Sequence, residues 1–354
     1  MKLHLKNIER KFDYIDKSQY DYILNQSERS DKFSNILFEV FKQNLTQEDF
    51  MYYPNTKNFK EKLCEFYNVK DENLFLSDGS DVSIKAIFET FTNKGNVITN
   101  EPSFPMYSVY SDLYECNYHN IIYEKNYTLS SKKLINLIDD KTDLIILANP
   151  NSPIGDYKTF DEIKPILDTG KMVLIDEAYI EFLDTEDLYY DSFIKYSDEY
   201  PNLIVTRTFS KGFGAAGCRV GMAFAHKDTI QLISKFRQMY EITGVSLKYC
   251  EFLLDNYNLV ENYCQYVIEE KKKIVSMLKD YDVIDSNCNW IHFNTTDDNV
   301  KTKQIFDKHK VLVKYCELPH DDRKNWCRLT IQPKLSEQQF IKELLWKKEN
   351  IYQQ

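Results

Sequence analysis

The sequence lacks a hydrophobic run long enough to cross a membrane. Its 354 residues are 43% hydrophobic and 28% charged, and no stretch approaches the roughly 20 apolar residues of a spanning helix. The first residues, MKLHLKNIERKFDY, carry charges where a secretory signal needs an apolar segment of about 7 to 15 residues. We therefore expect a globular cytoplasmic protein with a sizeable core and no membrane partner.

Clustered basic residues and metal-binding cysteine patterns are also missing. The net charge is −10, and no Lys/Arg stripe of the kind that binds a phosphate backbone stands out, so we expect no nucleic-acid partner. The eight cysteines are scattered, without a C-x-x-C pair or a histidine at ligand spacing. We predict no metal site and free thiols in a reducing cytosol.

Short apolar runs alternate with amphipathic segments between about residues 60 and 240, which predicts β-α units on a mainly parallel sheet. The predicted strands are residues 74–76, 96–99, 144–148, 172–175, 203–206 and 220–225. After about residue 246, long charged helices take over, followed by strands and a final helix. We predict an α/β protein with three parts. These are an N-terminal segment (1–45) packed with the small domain and a partner subunit, a large domain (46–245), and a smaller α+β domain (246–354).

Polar sequences follow three of the predicted strands, at residues 148–153, 176–179 and 207–211. In open parallel sheets, ligands bind outside the carboxyl ends of the strands. We therefore expect these three segments to converge on one crevice.

Two residues in these segments suggest chemistry. Lys211 follows a strand and precedes a run of small residues; a desolvated lysine there becomes a neutral amine that can attack a carbonyl. Asp176 ends a buried strand, where an unpaired charge costs several kcal/mol, so it needs a cation such as a protonated pyridine nitrogen. Taken alone, each has an ordinary alternative: a solvated surface lysine, and an N-cap or an ion pair with an arginine.

A phosphate site is predicted nearby. The turn at residues 77–81 leads into a helix, and a helix N-terminus offers free N–H groups to an anion. Thr208, Ser210 and Arg219 add hydroxyls and a guanidinium.

The glycines Gly212, Gly214 and Gly217 match the spacing of the dinucleotide-binding fingerprint. That fingerprint requires a helix between its glycines and the next strand. Only Cys218 and Arg219 separate Gly217 from the strand at residue 220, so we exclude a nicotinamide-dependent dehydrogenase.

Several ordered motifs, spread from about Leu24 to the C-terminus, together resemble the fold-type I, class I/II aminotransferases, and most of all the histidinol-phosphate aminotransferase group. The motifs are Tyr53-Pro54, Gly79-Ser80-Asp81, Pro102 with Tyr107, Asp176-Glu177-Ala178-Tyr179, and Arg207-Thr208-Phe209-Ser210-Lys211 with Arg219. The resemblance implies the fold of the pyridoxal-phosphate-dependent transferases and pyridoxal 5′-phosphate as the cofactor.

The resemblance also implies roles for individual residues. Lys211 holds the cofactor as a Schiff base and moves a proton, Asp176 pairs with the pyridine nitrogen, and Tyr179 contacts the ring hydroxyl. Tyr107 stacks on the ring. The residues that hold the cofactor phosphate are Ser80, Asp81, Thr208, Ser210 and Arg219.

Three further residues are assigned by resemblance to the dimer and to the substrate. Tyr53 reaches the phosphate of the neighbouring subunit, which implies a homodimer with shared active sites. Arg328 binds the anionic group of the substrate, and Tyr20 lines the same pocket.

The sequence departs from the family pattern after the strand at 144–148. Ser152 replaces the usual asparagine that contacts the ring hydroxyl, and we expect Asn151 to compensate. The segments 24–29 and 240–244, which border the substrate pocket, differ as well.

The expected activity is transfer of an amino group from a donor, glutamate, to a small phosphorylated or otherwise anionic keto acceptor by a ping-pong mechanism. A decarboxylase of phosphoserine or phosphothreonine type is the alternative, because the same lysine and aspartate serve both reactions. A non-catalytic regulatory module is the third alternative, but we would expect it to carry a separate DNA-binding domain, for which the roughly 20 residues before Leu24 are too few. The intact Lys211 and Asp176 disfavour a degenerate pseudoenzyme.

Overall fold

The computed structural model describes residues 5, 8, 15–29, 31, 35–279, 281–295, 299–316, 318 and 326–351. The helices are α1 (Asn35–Gln43), α2 (Glu48–Met51), α3 (Lys57–Tyr67), α4 (Ser80–Phe91), α5 (Met106–Leu113), α6 (Ser131–Ile135), α7 (Phe160–Leu167), α8 (Leu188–Asp191), α9 (Lys227–Ile233), α10 (Gly244–Asp255), α11 (Tyr257–Met277), α12 (Asn299–Lys308) and α13 (Gln339–Ile351). The strands are β1 (Tyr22–Ile23), β2 (Leu74–Ser77), β3 (Asn96–Glu101), β4 (Asn117–Ile122), β5 (Thr142–Ala148), β6 (Met172–Asp176), β7 (Leu203–Thr208), β8 (Gly221–Ala225), β9 (Val283–Ile284), β10 (Trp290–Asn294), β11 (Val311–Leu312), β12 (Lys314–Cys316) and β13 (Trp326–Thr330). Within the described ranges, none of the helices is long and apolar enough to cross a bilayer.

A seven-stranded sheet forms the larger layer, in the order β2-β8-β7-β6-β5-β3-β4. Its strands are parallel except β8, which runs antiparallel to both of its neighbours. The twelve residues 209–220 that join β7 to β8 contain only a short 3-10 turn at Ala216–Cys218, whereas a parallel return usually runs through a crossover helix. The predicted α/β fold with a mainly parallel sheet flanked by helices is confirmed.

All six predicted strands belong to this sheet, but β4 was not predicted. Its sequence, NYHNII, is mostly polar, and of its residues only Ile121 is buried. An edge strand has only one neighbour and can be solvent-exposed, so it lacks the apolar run that marked the inner strands.

The inner strands are buried on both faces. Alternate residues point to opposite sides, so Leu174 and Ile204 pack with Ile84 of α4 on one face, whereas Ile175 packs with Ile163 of α7 on the other. Burying each such side chain contributes about 1.5 to 3 kcal/mol. We expect Leu174→Ala to cost about 2 to 5 kcal/mol. This core holds the strand ends in fixed positions.

A second, antiparallel sheet has the order β12-β13-β10-β9. The helical region predicted after residue 246 is interrupted at Asn256, whose non-helical φ and ψ of −122° and 42° separate α10 from α11. β1 pairs in parallel with β11, and Leu24 N donates to Leu312 O at 2.8 Å. These contacts tie the N-terminal segment to β11, and Thr330 N of β13 donates to Leu24 O at 3.2 Å, which ties the segment to the second sheet; the domain boundaries themselves stay a prediction.

Candidate active site

A cavity of about 470 Å³ opens at the carboxyl ends of β5, β6 and β7, beside the N-terminus of α4. The register places Ala148 beside Asp176 and Asp176 beside Thr206, so the polar segments after these strands meet as predicted. The predicted site residues that line the cavity are Ser80, Asp81, Ser152, Asp176, Tyr179, Thr208, Ser210, Lys211 and Arg219.

The floor of the cavity carries a buried carboxylate. Asp176 is the last residue of β6 and is 6% exposed. Tyr107 Oη donates to Asp176 Oδ2 at 2.9 Å, and Thr206 Oγ1 donates to Oδ1 at 3.0 Å. Burial raises the pKa of Asp176, while these two hydrogen bonds oppose the increase. A carboxylate fixed in this way is suited to pairing with a cation that enters the cavity.

A buried ion-pair cluster holds the loop that follows Asp176. Arg207 Nε donates to Glu177 Oε2, and Arg207 Nη1 donates to Glu181 Oε1, each at 2.8 Å. Glu177 Oε1 also accepts from Phe193 N at 2.6 Å. Breaking a buried pair on one side costs about 3 to 5 kcal/mol. Glu177 and Arg207 therefore fix the loop that carries Tyr179 to the end of β7.

Lys211 reaches the cavity from the loop after β7. Its Nζ donates to Gln26 O at 3.3 Å and lies 5.2 Å from the ring centroid of Tyr179. The Tyr179 ring meets Trp290 edge to face, with centroids 4.6 Å apart. An amine and a phenol thus share one side of the cavity.

The part of the cavity at the N-terminus of α4 is suited to binding an anion. Helix α4 begins at Ser80, and Arg219 Nη1 lies 3.5 Å from Ser210 Oγ. A Cβ on Gly79, whose φ is +80°, would lie 2.3 Å from Arg219 Nη2, and a Cβ on Gly221 would lie 2.1 Å from Ser80 N. Glycine at both positions lets the helix N-terminus and the guanidinium converge.

Two hydroxyl-bearing contacts complete this end. Thr208 Oγ1 donates to Ser210 Oγ at 3.0 Å and accepts from Ser210 N at 3.1 Å. Tyr110 Oη donates to Asp81 Oδ1 at 2.9 Å, which fixes this carboxylate in the first turn of α4, where the helix dipole stabilises it. An anion cradle, an amine and a buried carboxylate in one cavity fit pyridoxal 5′-phosphate, which carries a phosphate, an aldehyde and a basic ring nitrogen.

Of the two aromatic residues at the start of α5, Phe104 is the one that lines the cavity. Tyr107 is fully buried behind it, with ring centroids 5.5 Å apart, and its hydroxyl is engaged by Asp176. Tyr107 lies in the first turn of α5, which directs it toward the sheet, whereas Phe104 precedes the helix. This geometry does not support the predicted stacking of Tyr107 on the cofactor, and Phe104 is the residue that sequence reasoning missed.

Asn151 does not reach the cavity either. It is fully buried, and its Oδ1 accepts from Ile154 N at 3.0 Å within its own turn. Ser152 is the side chain that faces the cavity. The geometry therefore does not support compensation for Ser152 by Asn151.

The N-terminal segment lies between Lys211 and Arg328. Arg328, on β13, donates from Nη2 to Asn25 O at 2.8 Å, one residue from the carbonyl that Lys211 contacts. Gln26 and Glu28 line the cavity, and Glu28 Oε2 pairs with Lys17 Nζ at 2.5 Å. The role of Gln26 rests on a main-chain carbonyl, which no sequence motif could reveal.

Two predicted site residues lie apart from the cavity wall. Tyr20 follows a short 3-10 turn and is half-buried. Tyr53 is 76% exposed and stacks on Tyr240, with centroids 4.0 Å apart. In the described ranges, no group of three or more His, Cys, Asp or Glu side chains is arranged to hold a metal ion.

Comparisons with known proteins agree with this geometry. The family described as "Aminotransferase class I and II" matches residues 24–344. The histidinol-phosphate aminotransferase of Bacteroides fragilis (strain YCH46) is 32% identical over 251 residues, which are 69% of this chain and 71% of that protein.

Two solved structures share the fold. Histidinol-phosphate aminotransferase from Sinorhizobium meliloti, in complex with pyridoxal-5′-phosphate, superposes with a TM-score of 0.80 at 16% identity, covering 98% of this chain and 95% of the other. L-threonine-O-3-phosphate decarboxylase from Porphyromonas gingivalis gives 0.77 at 18% identity, covering 93% and 99%. The chain therefore belongs to the class I and II aminotransferases, a family of pyridoxal-phosphate-dependent enzymes.

Proposed function

We propose that this aminotransferase transfers an amino group from glutamate to a small phosphorylated or otherwise anionic keto acceptor. The observation that carries the proposal is the joint presence of Lys211 and Asp176 in one cavity, with Arg328 across the N-terminal segment. Donor and acceptor use the cavity in turn, which makes the kinetics ping-pong.

Different residues of the cavity would hold different parts of the cofactor. Lys211 would hold it covalently, Asp176 would face its ring nitrogen, and Tyr179 with Ser152 would lie beside the ring hydroxyl. The phosphate would lie among the N-terminus of α4, Thr208, Ser210 and Arg219. When bound, the cofactor supplies an electron-accepting ring that stabilises negative charge at the substrate Cα.

The chain's own contribution is electrostatics and proton transfer. The ionised Asp176 carboxylate stabilises positive charge at the bottom of the cavity, because burial makes that interaction stronger than in water. Lys211 Nζ removes a proton from the substrate Cα and returns it during the exchange, as a general base and then a general acid.

Arg328 would bind the anionic group of the substrate. The residue is only 8% exposed, and its guanidinium already donates one hydrogen bond to Asn25 O. The remaining donors suit a carboxylate or phosphate, which arginine binds in a bidentate manner. The relative from Bacteroides fragilis is named for a phosphorylated substrate, which supports an anionic acceptor here.

A homodimer with shared active sites is part of the proposal. Large apolar side chains are exposed around the Tyr53–Tyr240 stack: Phe50, Met51, Tyr52, Tyr53, Met239 and Tyr240. Exposed apolar patches of this kind mark protein interfaces. A partner copy would cover the patch and receive Tyr53 at its own phosphate site.

Complementation tests the shared site. Tyr53→Ala and Lys211→Ala chains, mixed and refolded together, should form heterodimers with one intact site and recover activity that the Lys211→Ala homodimer lacks. Recovery no greater than the sum of the separate proteins would contradict sharing.

The proposed setting is the reducing cytosol. All eight cysteines are free thiols, which is typical of proteins in that compartment.

The decisive experiment for the activity is a panel of amino donors and phosphorylated keto acceptors with the purified protein. We expect glutamate to shift the cofactor absorbance away from the aldehyde form and an anionic keto acceptor to restore it. Lys211→Ala should lose at least about a thousandfold in rate, whereas Lys164→Ala, an exposed control paired with Asp168, should not. Retained activity in Lys211→Ala would refute the proposal.

Decarboxylation is the second candidate, because the Porphyromonas gingivalis decarboxylase shares the fold. Incubation with phosphoserine or phosphothreonine separates the two reactions. Carbon dioxide release without a keto product would favour decarboxylation over amino transfer.

A further inference from the structure

Trp290, on β10, contacts both the proposed cofactor contact Tyr179 and the proposed substrate contact Arg328. Among the described residues it has the largest fully buried side chain, and it is not part of the cavity wall. Its ring meets the Tyr179 ring edge to face, with centroids 4.6 Å apart. Arg328 Cζ lies 5.2 Å from the centroid of the same indole. One side chain behind the cavity therefore touches a residue of each proposed binding region.

Strand register brings Trp290 to Arg328. The pairing of β10 with β13 places Trp290 opposite Thr330. Arg328 is two residues earlier on β13, so Trp290 and Arg328 are diagonal neighbours on one face of the sheet, within reach of a large aromatic side chain. A guanidinium within about 6 Å of a ring centroid is attracted by the ring. Together with the bond from Arg328 Nη2 to Asn25 O, the indole orients this guanidinium.

The indole N–H anchors Trp290 to the loop that follows β5. Trp290 Nε1 donates to Pro153 O at 2.8 Å, one residue from Ser152, which lines the cavity. Three residues before Trp290, Asn287 N donates to Gly155 O of the same loop at 2.7 Å. Trp290 is therefore fixed relative to the large sheet as well as within its own strand.

A buried lysine holds the turn that leads to Trp290. Lys271, on α11, is 5% exposed, and its Nζ donates to Ser286 O and, at 3.2 Å, to Cys288 O. Asp285 Oδ1 lies 3.9 Å from the same ammonium group. The turn is thus held by α11 on one side and by the loop after β5 on the other. A ring that follows a turn held in this way has little freedom to shift.

We propose that Trp290 is a positioning residue, which holds the Tyr179 phenol and the Arg328 guanidinium in a fixed relation to each other. A substrate must place its reacting carbon near Lys211 and its anionic group at Arg328 at the same time. Lys211 Nζ lies 5.2 Å from the ring centroid of Tyr179, so the contacts of Trp290 relate these two places. This role rests on the proposed functions of Tyr179 and Arg328.

The contact with Tyr179 is tested by a pH titration of the cofactor absorbance in the holoenzyme. A hydrogen bond donated to an anionic ring oxygen stabilises the form that has lost a proton. Trp290→Leu loosens the phenol that would donate this bond, so we expect the midpoint to rise by about 0.4 to 1 pH unit, as for the loss of one aromatic pair. Trp290→Phe keeps a ring at this position and should restore the native midpoint.

The contact with Arg328 is tested by calorimetric titration of inorganic phosphate into the holoenzyme, in which the cofactor phosphate occupies the anion cradle. We expect the dissociation constant to rise about twofold to thirtyfold in Trp290→Leu, as for the loss of one cation–π contact. Trp290→Phe should again lie close to the native protein. Arg328→Ala should remove this binding; binding that survives there would refute the proposed role of Arg328 and, with it, this role of Trp290.

Ile291→Ala is the matched control, because Ile291 is fully buried on the same strand and points to the opposite face of the sheet. It should weaken β10 in urea unfolding but leave both readouts native. If Trp290→Leu does not fold, Trp290→Met, whose flexible side chain fills irregular space, replaces it with the same expected changes.

Two results would overturn the positioning role. One is a folded Trp290 variant in which neither the midpoint nor the phosphate affinity changes. The other is an equal change of both readouts in Ile291→Ala, which would mean that Trp290 acts only through the stability of its strand. Failure of the native protein to bind pyridoxal 5′-phosphate would refute the proposed function instead.

Discussion

The proposed cofactor end of the cavity and the proposed substrate end, which is the N-terminal segment with β10 and β13 around Arg328, differ in how completely their polar groups are paired. At the cofactor end, Asp176 accepts from Tyr107 and Thr206, and Thr208 and Ser210 bond to each other. At the substrate end, several buried side-chain atoms have no hydrogen-bond partner among the described residues. These atoms are Asn25 Oδ1, Ser27 Oγ, Asn289 Oδ1, both ring nitrogens of His292, Arg328 Nε and Thr330 Oγ1.

The difference has an energetic meaning. A buried polar group without a hydrogen-bond partner destabilises the folded protein by about 1 to 3 kcal/mol. In addition, the pairing of β12 with β13 places Lys314 opposite Arg328. Burial and the adjacent Arg328 lower the pKa of Lys314, because like charges on neighbouring strands repel. The cofactor end is therefore preorganised. The substrate end holds buried polar groups without hydrogen-bond partners, and an anionic ligand would reduce the energetic cost of burying them.

The most severe test of the preorganised end is Asp176→Asn. We expect the rate to fall about a hundredfold to a thousandfold, because a positioned charge in a buried site is lost. A loss of less than about tenfold would show that the carboxylate is not part of the catalytic machinery.

The same variant makes a separate stability prediction. Burial raises the pKa of Asp176 above its ordinary 3.8, so the folded protein holds this proton more tightly than the unfolded chain. Stability without cofactor should therefore fall as pH rises from 3.8 through the folded value. Asp176→Asn should remove this decline in urea unfolding of the cofactor-free protein; an unchanged pH dependence would contradict it.

At the substrate end, Arg328→Ala should raise KM for the anionic substrate about tenfold to a hundredfold. Hydrogen bonds to charged groups contribute about 1.5 to 3 kcal/mol, and kcat should change little because the proposed contact of Arg328 is with the anionic group of the substrate and not with its reacting carbon. A substrate analogue without the anionic group is the control and should show no change. An equal loss with both substrates would indicate a structural role for Arg328.

A smaller effect concerns His292, which faces Arg328 across β10 and β13. Burial, Arg328 and Lys314 lower its pKa from 6.5 to about 3. Its contribution to stability is therefore complete above pH 6.5 and lost as pH falls toward 3. Between pH 7 and 5, the free energy of unfolding of the native protein should fall by on the order of 2 kcal/mol more than that of His292→Leu. The exposed control His119→Asn should leave the native slope unchanged; equal slopes in native protein and His292→Leu would contradict the prediction.

The smallest expected effect is that of Ser152→Asn, which restores the usual family residue in the cavity wall. Because one hydrogen bond changes partner without a change of charge, we expect cofactor affinity to change by less than about tenfold. Titration of pyridoxal 5′-phosphate into the cofactor-free protein, followed by absorbance, gives the measurement. A larger change would place Ser152 among the main determinants of the cofactor end.

The inner sheet and the convergence of Asp176, Thr208 and Lys211 on one cavity could be predicted because their signals are local. Buried strands appear as apolar runs, and Asp176 and Lys211 follow such runs directly. The exceptions are informative: Phe104 and Tyr107 belong to the same motif, and only the start of α5 decides which ring faces the cavity. Gln26 contributes a carbonyl, which every residue type carries.

The sequence by itself determined the order of the buried strands of the large sheet along the chain, the convergence of polar segments at the strand ends, and the family of the chain. These properties follow from hydrophobic periodicity and from motifs within a few residues of each other. Only the tertiary structure decided the contact of Arg328 with Asn25 and the opposition of Lys314 and Arg328. Each of these joins elements that are distant in the chain, and strand register and helix packing, rather than local pattern, bring them together.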